Sequence, residues 1–166
     1  GRENGAGVSD RLARAVGFNL AHKLTHDTKY PGGWEKLGKY CRFLNEELAR
    51  FVTRLKETPE PAGQGSMLDN SLLLFGSASS AFHLSRNYPL VLAGGRNMGF
   101  KHGRYLNFAG ADPFRGAWFG GPEPYTKKIN QDDQPLTKVF VTMLQQLGME
   151  TDSFAGATGN FPELIP

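Results

Sequence analysis

Apolar residues recur at three- and four-residue steps between Trp34 and Lys56: Trp34, Leu37, Cys41, Leu44, Leu48, Phe51, Val52 and Leu55. On a helix these positions fall on one stripe. The spacing therefore predicts a long helix packed against a sheet. Glu35 and Lys39 add a supportive i,i+4 pair away from that stripe. Pro59 and Pro61 end the helix. Ahead of it, Val8, Leu12, Val16 and Leu20 repeat every four residues. They permit a short amphipathic helix from about Ser9, which can cap it. The alternative for this stretch is an extended loop.

Two later stretches have a different rhythm. Ser71 to Gly76 and Pro89 to Gly95 are short, continuous apolar runs closed by glycine. Runs of this kind predict strands buried on both faces, as in α/β layering rather than in a one-faced antiparallel sheet. Glu60 to Ser66 is turn-rich. Arg96 to Asn107 reads as a turn or hairpin punctuated by Gly99 and Gly103. Residues 108–134 hold Phe108, Phe114, Trp118, Phe119 and Tyr125 among glycines and prolines, and predict a long ordered loop or lid. Pro135 opens a last helix whose apolar face is Leu136, Val139, Phe140, Met143, Leu144 and Leu147, with Gly148 as its C-cap. The tail from Glu150 has no regular period. Two buried strands need further strands beside them, so the chain is expected to be incomplete as a folding unit.

Composition sharpens this only in places. The 166 residues are 39% hydrophobic and 21% charged, which supports a packed core, while 21 glycines and 10 prolines favour long loops. The formal charge is +3. The basic residues do not cluster beyond Lys127-Lys128 and the spaced pair Arg50 and Arg54, so no nucleic-acid partner is expected. The single cysteine, Cys41, has no disulfide partner and is expected to be a small buried hydrophobe. No apolar run approaches the roughly 18–20 residues that span a bilayer.

Candidate chemistry gathers in two segments. His22 and His26 are four apart, so a helix places both imidazoles on one face, and Asp27 follows directly. Two imidazoles and a carboxylate suit zinc or a similar divalent metal. They equally suit a general base with an orienting partner, or two surface histidines in structural hydrogen bonds. The second segment follows the first strand, where ligands bind in open α/β sheets. It places Ser77, Ser79, Ser80 and His83 near a site, with Asn87 before the next strand as an orienting residue. Its alternative is a plain polar loop. His102 reads as surface, and Asp132-Asp133 as an acidic pair at a helix N-terminus. There is no phosphate-binding glycine loop, nucleophile elbow or paired-cysteine motif.

The segment His22-Lys23-Leu24-Thr25-His26-Asp27 resembles the motif of the HXXSHH family of bacterial proteins, a His, two residues, then Ser-His-His. The resemblance continues through the long helix into "LKETPEPAGQGSMLDNSLLLFGSASS", the His83 loop, "YPLVLAGG", "KHGRYLNF" and "MLQQLGMETDSFAGATG". It spans nearly the whole chain except an inserted loop at 108–134. It implies the C-terminal half of an alkaline-phosphatase/sulfatase-like α/β domain, exported to the periplasm or cell exterior, whose N-terminal half lies outside this chain. It implies a divalent metal at His22, His26, Asp27 and His83, with Thr25, Ser77 and Asn87 as catalytic candidates. The substrate class would be a phosphate or sulfate ester, including that of a polysaccharide. The sequence departs from the family at Thr25, which replaces Ser, and at Asp27, which replaces the last His. The His83 loop continues as Leu84, Ser85 and Arg86, where the family often has more histidine. The alternative expectation is a non-catalytic scaffold subunit whose partner is the N-terminal half or another chain.

Overall fold

A computed structural model describes residues 7–61, 64–77, 89–107 and 134–166. The protein is mixed α/β and divides into two compact units, Gly1–Leu55 and Lys56–Pro166.

The first unit is helical. Helix α1 spans Gly7–Ala15, α2 spans Ala21–His26, a 3-10 turn covers Asp27–Lys29, and α3 spans Gly33–Glu57, running just past the unit's boundary. The helical alternative thus holds for the first segment. Leu20 leaves the four-residue pattern: it is the extended residue that precedes α2, with φ −137°. The core is Ala13, Ala21, Leu24 and Tyr40, with Leu12, Val16, Phe18, Leu37 and Leu44 packed against it.

The long helix forms where its spacing places it, but its buried face is rotated. Tyr40 is buried whereas Cys41 is exposed, which corrects the expected buried cysteine. Both positions lie within a helical step of Leu37 and Leu44, and the larger ring takes the core because it removes more apolar surface from water. Trp34 and Phe51 are likewise exposed. Ion pairs on the solvent side of α3 include Arg42–Glu46 at 2.7 Å and Glu47–Arg50, further along than the expected Glu35–Lys39 pair.

In the second unit β1 (Leu72–Gly76) pairs with β2 (Leu90–Gly94) in antiparallel register, Leu72 opposite Gly94 and Gly76 opposite Leu90. The strands are half-buried rather than enclosed, and Val91 is 48% exposed. This corrects the expectation of strands buried on both faces. Among the described residues the sheet has two strands only, and a continuous apolar run cannot by itself distinguish such a pair from the centre of a larger sheet.

A tight loop braces this pair. Asn97 Nδ2 donates to Gln64 O at 2.7 Å and to Asn70 Oδ1 at 3.0 Å, while the Asn97 N–H donates to Asp69 O at 3.0 Å. Asp69 Oδ2 accepts from the Ser66 N–H and hydroxyl, both at 2.8 Å. Those hydrogen bonds from Ser66, aided by the nearby cations Arg96 and Lys56, hold the Asp69 carboxyl below its ordinary value. A depressed carboxylate contributes stability that is present above its unfolded value and lost as pH falls through the folded one. The Ser66 amide should therefore lose protection in acid, at a pH below the ordinary Asp range. Asp69→Asn should flatten that acid limb in an amide-exchange titration. An unchanged acid limb in the variant would contradict the assignment.

The last helix, α4, spans Thr137–Gln146. It ends as expected at Gly148, whose N–H donates to Gln145 O at 2.9 Å while the Met149 N–H reaches Leu144 O at 3.0 Å. This is the paired closure of a left-handed helix C-terminus. Its most buried residues are Val141 and Thr142, outside the expected stripe, whereas Leu147 is exposed. The tail is ordered as a hairpin, β3 (Ser153–Phe154) with β4 (Ala157–Thr158). Ala155 and Gly156 both have positive φ, the requirement of a two-residue hairpin turn. Phe154 packs on Phe140, with ring centroids 5.8 Å apart.

Candidate functional site

Helix α2 is six residues long, and its geometry decides the first candidate cluster. Ala21 and Leu24 point into the core, which turns His22, Thr25 and His26 toward solvent. The His22 and His26 rings stack, with centroids 4.7 Å apart and an interplanar angle of 23°. Their Nε2 atoms lie 2.7 Å apart, so one ring donates and the other accepts. The expected meeting of the two imidazoles is therefore present.

The remaining candidates divide. Asp27 is adjacent in sequence but turned to Lys23, whose Nζ contacts Oδ1 at 2.7 Å and Oδ2 at 2.6 Å. Helical spacing explains this: residues 22 and 26 share one line along α2 and residues 23 and 27 the next. The same i,i+4 rule that paired the histidines pairs Lys23 with Asp27, and that signal was present in the sequence. Thr25 donates its hydroxyl to His22 O at 2.7 Å, so its proton is held within the helix. Among the described residues no group of three or more His, Cys, Asp or Glu is arranged to hold a metal ion.

Ser77 lies in the second unit at the end of β1, where its N–H reaches Pro89 O at 3.4 Å. Ser79, Ser80, His83 and Asn87 lie outside the described residues, as do the 108–133 part of the long loop, Lys127-Lys128 and Asp132-Asp133. His102 is exposed, as expected of a surface residue, and its Nε2 contacts Gly94 O. A shallow polar depression of about 520 Å³ is lined by Gln64, Gly65, Asp69, Arg96 and Asn97. Asp69 and Asn97 there are engaged in holding the loop itself. No described helix is long and apolar enough to cross a membrane.

Comparison with protein-family models, curated proteins and solved structures finds no match to this chain.

Proposed function

We propose that this chain is part of an exported, HXXSHH-like protein that hydrolyses phosphate or sulfate esters with a divalent metal, and that His22 and His26 supply two of the metal's ligands. The observation that carries this reading is the convergence of two solvent-facing imidazole nitrogens at 2.7 Å. Two zinc-bound imidazoles at roughly 2.0–2.1 Å and a tetrahedral angle stand roughly 3.3 Å apart. The pair needs to open by only about 0.6 Å to accept such an ion. A bound metal would polarise the ester oxygen and lower the pKa of an attacking water.

The protein's own residues do the positioning. α2 presents the two nitrogens on one line, and its buried Ala21 and Leu24 fix which face is outward. Asp27 serves this site by neutralising Lys23, a cation that would otherwise repel the metal from the next line of the helix. The remaining ligands, His83 among them, come from outside α2. Ser77 and Asn87 stay candidates for contacting substrate. The alkaline-phosphatase/sulfatase-like fold and a periplasmic or extracellular location belong to the same reading and rest on the sequence resemblance.

Zinc titration of the whole chain by calorimetry tests the proposal. Replacing either histidine with alanine should weaken binding about tenfold or more, and the double variant should bind none at the site. Asp27→Asn should change affinity less than about threefold, because the carboxylate is engaged by Lys23. Unchanged zinc affinity in the His22→Ala/His26→Ala chain would sink the metal reading.

A scaffold role is the second reading, supported by the exposed apolar side chains Val91 and Phe51. It expects stable association with another chain and no metal at His22 and His26.

A further inference from the structure

We propose that the distal half of α3 is a self-association surface, on which a second copy of this chain lays its own α3 antiparallel, with Leu48 of one protomer against Phe51 of the other. The proposal needs no metal, and it names the chain that a scaffold role leaves open.

The helix carries two apolar lines at seven-residue spacing. Leu37, Leu44 and Phe51 form one, and Cys41, Leu48 and Leu55 the other, at alternating steps of four and three. A strict seven-residue repeat of this kind is the seam of a helix that packs along another helix. Within its own chain α3 uses only the first part of that seam. Leu37 and Leu44 pack on the core of Ala13, Ala21, Leu24 and Tyr40, and among the described residues no apolar side chain of α3 beyond Leu44 joins that core. About 20 Å of helix continues past it. There Phe51 is 50% exposed, and Leu48, Val52 and Leu55 are only partly covered.

Charge selects the occupant and its direction. Glu47 and Arg54 lie seven apart on the same flank of the seam. Two such helices running antiparallel, with Leu48 opposite Phe51, bring like flanks together, so Glu47 of each protomer meets Arg54 of the other. The surface is thus complementary to itself. Arg50 contacts Glu47 within the chain through Oε1, and a carboxylate can accept a second guanidinium. Running parallel, the same helices would set Glu47 beside Val52 of the partner. They would also place the two helical cores side by side instead of at opposite ends.

Sedimentation equilibrium of the whole chain is the test. The parent should dimerise reversibly, with a Kd on the order of 10 μM for so small an interface. Phe51→Glu should weaken the dimer about tenfold or more, because it places a charge in the seam. Phe51 is half exposed, so the far-ultraviolet circular dichroism of that variant should match the parent. Glu47→Arg and Arg54→Glu should each weaken the dimer several-fold, and the two together should restore it. The antiparallel register holds the two Cys41 thiols roughly 25 Å apart along the seam, so copper-catalysed oxidation should leave the protomers uncrosslinked. A parent still monomeric at about 500 μM overturns the proposal and gives the surface to a different chain. So does a Phe51→Glu dimer within twofold of the parent, or a doubly swapped chain that binds no better than its single variants. A rapid Cys41–Cys41 disulfide overturns it in favour of a parallel pair. His22 and His26 lie outside the seam, so zinc titration reads the metal proposal and sedimentation reads this one.

Discussion

Gly94→Ala is expected to destabilise the second unit by about 3–5 kcal/mol, the range of backbone strain combined with a steric clash. Gly94 closes β2 with φ +80°, and a Cβ there would overlap Ser71 O and lie 2.7 Å from Leu68 O. Those partners are backbone atoms, which cannot rotate aside. The adjoining hydrogen bonds, Gly95 N–H to Leu68 O at 3.1 Å and Asn97 N–H to Asp69 O at 3.0 Å, would part as the loop moved. Gly148 supplies the control. Its φ is +84° but nothing lies within 4 Å of a Cβ, so Gly148→Ala should cost only about 1–2 kcal/mol, the left-handed penalty alone. Urea denaturation followed by circular dichroism measures both. Equal losses in the two variants would show that packing at Gly94 is not what sets its cost.

Thr142→Val should be the next largest loss, about 1–3 kcal/mol, although the two side chains have nearly the same shape. Thr142 is fully buried. Its hydroxyl donates to Lys138 O at 2.9 Å and accepts the Phe161 N–H at 2.9 Å. Valine removes that acceptor from a buried amide. Thr142→Ser keeps the oxygen and should retain most of the protection of the Phe161 amide against hydrogen exchange. If valine proved as stable as threonine, the hydroxyl would be shown to contribute nothing net to the tail's docking.

Much of the helical architecture was legible. The period of α3, its termination before Pro59 and the closure of α4 at Gly148 each follow from local rules that tertiary contacts did not override. Which face each helix buries was less legible. Tyr40 and Cys41 both lie within a helical step of Leu37 and Leu44, so spacing does not separate them, and the larger apolar surface of the ring places Tyr40 in the core with Leu24 and Ala13. Val141 and Thr142 fall outside the apolar stripe because their burial depends on Phe161 and Ala157, which arrive from beyond the helix. The two strands are legible as apolar runs, but their antiparallel pairing runs against the expected α/β layering, since apolar runs carry no record of direction. The tail hairpin did have a signal, the Ala155-Gly156 pair, but strands of two residues are too short to show alternation. At the candidate site, spacing alone brought His22 and His26 together. Asp27 is separated from them by the competing claim of Lys23, a residue type that does not ligate metals in this pattern but shares the i,i+4 spacing.

The clasp between Lys101 and the tail has a consequence for the order of assembly. The Lys101 N–H donates to Leu164 O at 2.9 Å, Arg104 to Glu163 O at 3.1 Å, and Phe161 is buried beside Thr142. The first two of these contacts join residues about sixty positions apart in sequence, the kind of pairing that loop-closure entropy makes slow. During synthesis, the β1–β2 pair and its bracing loop can leave the ribosome long before residue 164 does. The second unit therefore spends that interval without its clasp, its partly formed sheet open to chaperones and proteases, and settles only once residues 161–164 reach it.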